Sequence, residues 1–159
     1  MSEPGKQSVE TTSRRSSGLM GTYERSLDPK KRLTIPSVWR SALGPDFVYV
    51  MPDAQRRCLQ LIPRDVMEAR LAKYQELALS DPEVNAALDA IGAISEMLEF
   101  DVQGRIRIND ELLAYANLKG SVVLKGSFRM VTIWPAGEKP GNMEDRVAKL
   151  GAAMAKLKF

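Results

Sequence analysis

The sequence predicts an α+β protein built from two pseudo-symmetric ββαββ units that share a core, with a helical insert between them and a C-terminal helix. Three observations predict it. The stretch Asp28-Pro29-Lys30-Lys31-Arg32-Leu33-Thr34-Ile35-Pro36 recurs, altered, as Asp101-Val102-Gln103-Gly104-Arg105-Ile106-Arg107-Ile108-Asn109, with Asp and Arg both displaced by 73 positions. The same succession of apolar runs and turn residues flanks each copy, down to Pro63 after Ile62 and Pro135 after Trp134. Each copy has only roughly 50 residues, near the limit for burying an adequate core alone, so the copies are expected to pack on each other or on another chain.

Residues 1–19 are polar, rich in Ser and Thr and without periodicity, and read as a disordered tail with no apolar signal core. The first unit is placed at 20–63. Thr22 to Asp28 alternates as a strand, and Asp28-Pro29 opens a turn: Asp can accept backbone amides and Pro presets φ. Leu33-Thr34-Ile35 is a short strand, and Pro36 suits a helix start. Val38, Trp39, Ala42 and Leu43 fall at helical spacing before Gly44-Pro45. Phe47–Val50 and Cys58–Ile62 read as strands joined by a loop from Pro52 to Gln55.

The second unit, 97–135, repeats that order. Met97–Phe100 is a strand and Asp101–Gly104 a turn. Ile106 and Ile108 mark the short strand, and Asn109 can cap a helix holding Leu112, Leu113 and Ala116. Ser121–Leu124 and Met130–Trp134 form the last hairpin. The insert, 64–96, holds two helical patterns expected to cover the open side of the sheet. Met67, Leu71, Tyr74 and Ala78 share a face of the first. Ser80-Asp81-Pro82-Glu83 has the form of a capping box before the second. In the tail, 136–159, Val147, Leu150, Met154 and Leu157 recur at helical spacing, and a helix docked on its own chain or a neighbour is expected.

Composition narrows the chemistry. The 159 residues are 44% hydrophobic and 27% charged, as in soluble globular proteins, and no apolar run is long enough to cross a bilayer. There is no histidine, which removes imidazole acid–base chemistry and most zinc sites. Cys58 is the only cysteine and reads as a small packed strand residue, since nothing nearby would activate it. No phosphate-loop glycine motif or metal-ligand cluster is present, so no enzyme activity, cofactor, metal or small-molecule substrate is expected. The net charge of +3 permits an anionic partner without requiring one.

The doubled turn carries the functional reading. Asp28 and Asp101, with Gly104 closing the second turn, are expected to shape the loops. The arginines have two roles open to them. A guanidinium can pair with a carboxylate, and its remaining donors can meet phosphate oxygens or a guanine edge. Arg25, Lys30, Lys31, Arg32 and Arg40 accumulate around the first turn, and Arg105 and Arg107 around the second.

From Met20-Gly21 through the two DxxxR turns, the chain closely resembles the MraZ family, insert included, over about residues 20–145. The resemblance implies two AbrB-like units packed as a β-barrel-like core. It also implies a transcriptional regulator that binds short direct repeats in double-stranded promoter DNA, upstream of the division and cell-wall gene cluster. The regulator would act as a ring-shaped homo-oligomer in the cytoplasm, on the nucleoid, with no membrane partner. The family's DxxxR arginine falls on Arg32 and Arg105, the arginine before the Asp on Arg25, and one in the following helix on Arg40. Four positions depart from the pattern. Met20 stands where the family often has Arg, Lys31 where a glycine usually precedes the motif Arg, Leu98 at the second-copy place of Arg25, and Asn109 opposite Pro36. The second insert helix carries no Lys or Arg. An oligomeric protein-interaction module without DNA binding is the alternative.

Overall fold

A computed structural model describes residues 18–138 and 140–159. The expected disordered tail lies outside the described residues except at its end, where Leu19 corrects the boundary: it is fully buried and bridges to Phe128.

The first unit comprises β1 (Thr22–Ser26), β2 (Arg32–Thr34), α1 (Ser37–Leu43), β3 (Phe47–Pro52) and β4 (Leu59–Ile62). The insert follows as α2 (Arg64–Ala78) and α3 (Pro82–Ile94). The second unit comprises β5 (Glu96–Glu99), β6 (Arg105–Arg107), α4 (Asp110–Tyr115), β7 (Ser121–Gly126) and β8 (Val131–Pro135). A short 3-10 turn, Ala136–Glu138, leads to α5 (Met143–Leu157).

The strands form a six-stranded antiparallel sheet in the order β1-β7-β8-β4-β3-β5 and a two-stranded antiparallel ribbon, β2-β6. Exchanging each strand of one unit for its counterpart in the other leaves this order unchanged. Neither unit is closed on itself. Strand β1 pairs with β7, and its counterpart β5 pairs with β3. The counterparts β4 and β8 pair with each other, as do β2 and β6. Only the β3–β4 and β7–β8 hairpins stay within a unit. Interlocking of this kind answers the size problem, since each unit supplies the edge partners that the other lacks.

The core lies beneath the ribbon. Leu33 and Ile106 face each other at its centre, both buried, and Ile35, Trp39, Leu43, Ile108, Leu112 and Leu113 continue the same cluster into the sheet. A fully buried side chain of this size contributes about 1.5–3 kcal/mol. Trp39 donates its indole N–H to the carbonyl of Met20 at 2.8 Å and packs edge-to-face with Tyr23, which fixes the entry into β1. At Gly126 a β-carbon would lie 2.5 Å from the Leu19 carbonyl oxygen, so glycine is needed for close backbone approach.

Two details of the insert differ from expectation. Asp81, not Ser80, caps α3: its carboxylate accepts from the amides of Glu83 and Val84. Pro82 then occupies the first turn, where its missing N–H costs nothing. The insert also covers less than expected. Helix α2 buries Val66 and Met67 against Ile62, Tyr49 and Met51, whereas α3 packs on α2 and buries none of its own residues. Helix α5 likewise buries none.

Candidate nucleic-acid interface

The two DxxxR turns have the same internal wiring. In the first, one Asp28 carboxylate oxygen accepts from the amides of Lys30 (2.9 Å) and Arg32 (2.8 Å), and the other accepts from Arg32 Nε at 2.6 Å. In the second, Asp101 accepts from the amides of Gln103 and Arg105, both at 2.9 Å, and from Arg105 Nε at 2.7 Å. Backbone bonds repeat as well: Lys31 N–H to Asp28 carbonyl and Gly104 N–H to Asp101 carbonyl, each 2.9 Å. Both carboxyls sit below their usual range. The amide of the following arginine is the largest lowering cause in each, with its guanidinium adding to it.

The residue before each motif arginine must adopt a left-handed conformation. Gly104 does so at φ 76° and Lys31 at φ 62°, so the turn keeps its geometry and the lysine bears the strain. Lys31 also reaches across to the second unit, where its ammonium meets Asp110 at 2.6 Å; this contact lowers the Asp110 pKa. Nothing near Asp110 in the sequence signals that pairing, because only the interlocked fold brings the start of α4 against the first turn.

Arg40 corrects the sequence-based grouping. Its guanidinium lies over the second turn, not the first: a β-carbon added to Gly104 would fall 1.7 Å from Arg40 Nη1. Gly104 is thus favoured twice, by its φ and by the arginine above it. Arg25 lies along the Tyr23 ring, 5.4 Å from its centroid, and donates to the Glu24 carbonyl.

The ribbon aligns the remaining cations. Arg32 stands opposite Arg107 and Thr34 opposite Arg105, while Leu33 and Ile106 point into the core. The period of two therefore puts Arg32, Arg105 and Arg107 on the outer face. Like charges opposite one another on a ladder repel. Asp28 and Asp101 offset this within their own turns, and Asp28 also lies 3.9 Å from an Arg105 terminal nitrogen. Arg107 forms no ion pair among the described residues, although its charge helps to lower the Asp110 pKa, and Lys30 lies exposed in the first turn. Lys30, Lys31, Arg32, Arg40, Arg105 and Arg107 gather around this ribbon against Asp28, Asp101 and Asp110. The result is a cationic surface with guanidiniums held at fixed angles by carboxylates.

A second carboxylate-built loop escaped the sequence reading. Asp53, buried between β3 and β4, accepts from the amides of Gln55 and Arg56 and from the side chains of Arg56 and Gln60. Burial alone would raise its pKa, but these donors outweigh it and the net shift is downward. Its role is to hold the loop. Cys58 beside it is fully buried and its thiol is pushed up to about 11, chiefly by burial, which makes it a packed residue and a poor nucleophile. Among the described residues no group of His, Cys, Asp and Glu could hold a metal, and no helix is long and apolar enough to cross a membrane.

Fold and surface together define a class: an α+β protein whose two interlocked ββαββ units present doubled Asp–Arg turns on a cationic ribbon. Comparison with known proteins gives that class its family. Residues 19–90 match the model of "MraZ protein, putative antitoxin-like". The chain is 35% identical to the "Transcriptional regulator MraZ" of Thermomicrobium roseum, over 72% of its own length and 80% of that protein. It is 34% identical to those of Mycolicibacterium smegmatis and Leuconostoc mesenteroides, over 74% of its length and 80% of theirs. The chain belongs to the MraZ family.

Proposed function

We propose that this protein is a transcriptional regulator that binds double-stranded DNA sequence-specifically through the β2–β6 ribbon and its two turns. One observation carries the DNA part: the outer face of the ribbon bears Arg32, Arg105 and Arg107 within a wider cluster of cations, two of the three guanidiniums held by carboxylates at 2.6–2.7 Å. A two-stranded ribbon fits the major groove, where an arginine can engage guanine and neighbouring lysines the phosphates. The names of the relatives support the regulatory part. Arg32, Arg105 and Arg107 are the base-reading candidates; Lys30, Lys31 and Arg40 contact phosphates; Arg25 extends the surface along β1.

The finer reading rests on the family. The units at 20–63 and 97–135 are AbrB-like and form one barrel-like body, the insert occupies 64–96, and 136–159 is the helical tail. The protein acts as a ring-shaped homo-oligomer in the cytoplasm, on the nucleoid, with one DNA repeat per subunit. Its targets are short direct repeats upstream of the division and cell-wall gene cluster. Weak single contacts then combine through avidity. It is not an enzyme and takes no cofactor.

Fluorescence anisotropy with a labelled duplex from the gene's own upstream region tests this. Arg107→Ala is expected to cost about 1–3 kcal/mol of binding if it reads a guanine, and Lys30→Ala to reduce the salt slope by about 1. Unchanged binding by both variants, or affinity independent of salt, refutes the interface. A stable oligomer that never retards this DNA at low salt would favour the interaction-module reading, to which the uncovered helices α3 and α5 lend some support.

A further inference from the structure

Two apolar surfaces of the chain lie uncovered, and their charges are opposite. The first is α5. Val147, Leu150, Met154 and Leu157 form one stripe and are 53%, 52%, 37% and 74% exposed. Glu144 and Asp145 stand in the first turn of α5; from Arg146 onward the charged side chains are Arg146, Lys149, Lys156 and Lys158, all cationic. The second is a groove of about 710 Å3 beside α3, lined by Ala90, Ala93, Ile94 and Leu112 and edged by Glu96 and Glu111. It has no Lys or Arg in its lining, and α3 itself adds Glu83 and Asp89. Small residues occur on both sides, Ala90 and Ala93 in the groove and Gly151, Ala152 and Ala155 on the helix, which allows close helix approach.

We propose that α5 of one protomer seats in the α3 groove of a second copy of this chain. The length of α5 beyond its first turn is basic and matches the acidic groove, and each covers apolar surface that its own chain leaves in water. The two patches differ, so the contact is heterologous. Repeated with a closing rotation it makes a ring, and repeated without closure it makes a filament. This deepens the homo-oligomeric part of the function above and rests on it, but does not depend on DNA binding.

The test uses the full-length protein without DNA. Light scattering after size exclusion is expected to give the wild type a mass that is a multiple of 17.6 kDa. With Leu150→Glu and Met154→Glu combined, the mass is expected to fall to about half or less, with the circular dichroism spectrum of the folded chain kept because α5 buries nothing in its own chain. An independent measurement uses two single-cysteine variants in a Cys58→Ala background, Ala93→Cys and Met154→Cys. Mixed and oxidised, they should form a disulfide heterodimer that neither forms alone. A monomeric wild type, an α5 variant with wild-type mass, or a disulfide that forms only when both cysteines share one chain overturns the proposal. DNA binding by such a variant, or its loss in an assembly that keeps its mass, is decided separately by anisotropy.

Discussion

Replacing Lys31 by glycine separates the stability of the site from its binding. Lys31 holds φ 62° in a turn whose counterpart uses Gly104 at φ 76°. A β-carbon in the left-handed region costs roughly 1–2 kcal/mol, which glycine removes. Against that gain stand the greater freedom of glycine in the unfolded chain, about 0.4–1 kcal/mol, and the loss of the exposed, solvent-screened Lys31–Asp110 pair. These nearly cancel. The net is within about 1 kcal/mol of zero, a Tm shift of no more than about 2–4 °C for a chain of this size. Binding responds differently. Losing one cation from the phosphate contacts makes log K against log salt shallower by about 0.9. Thermal melts and an anisotropy series in sodium chloride read both quantities on the same variant. A stability loss beyond about 2 kcal/mol refutes the strain accounting. An intact fold with an unchanged salt slope refutes the placing of Lys31 on DNA.

Gly104→Ala adds a β-carbon at φ 76° and 1.7 Å from Arg40 Nη1, so a urea melt should register roughly 1–2 kcal/mol of strain plus the displacement of Arg40. In an Arg40→Ala background only the strain should remain. Leu33→Ala, at the centre of the ribbon, is expected to lose about 2–5 kcal/mol by chemical denaturation. Asp28 and Asp101 have folded pKa values below their unfolded ones, so their contribution is present above the unfolded value of 3.8 and is lost as pH falls through the folded values. Melting temperatures below about pH 4 should therefore fall more steeply in the wild type than in an Asp28→Asn, Asp101→Asn double variant. Equal slopes would refute the role given to the two carboxylates.

Most elements of the fold were legible because their signals are local. Asp before the turn, apolar alternation in the strands and the cap at Asn109 each act over a few residues, and the structure shows a carboxylate accepting two amides in each turn and Asn109 accepting from Leu112. The repeat at 73 positions added that the units share a core. What stayed hidden was set by pairing between distant strands. Arg40 reads as a neighbour of the first turn, since eight positions separate it from Arg32 in the chain. Asp110 reads as an ordinary first-turn helix acid. Leu19 reads as the end of a polar tail, and only the close approach at Gly126 shows why it must be buried.

The exchange of strands changes how the two copies should be compared. Taken along the sequence, the second copy is the poorer one, with Leu98 and Leu113 where the first has Arg25 and Arg40. In space Arg40 sits over the second copy's turn, while Leu113 helps to line the hollow beside Lys31. Each turn is therefore roofed by the other unit's helix. The first turn carries its own lysines but faces Asp110; the second has fewer cations of its own but gains Arg40 from the first unit. The basic residues that seemed concentrated in one copy are thus shared across both turns, and the ribbon between them is the natural centre of a single surface. Variants at Arg32 and Arg105 should accordingly perturb one binding event rather than two independent ones. Their double-variant cycle should be non-additive, beyond the roughly 0.3–0.5 kcal/mol within which independent sites add.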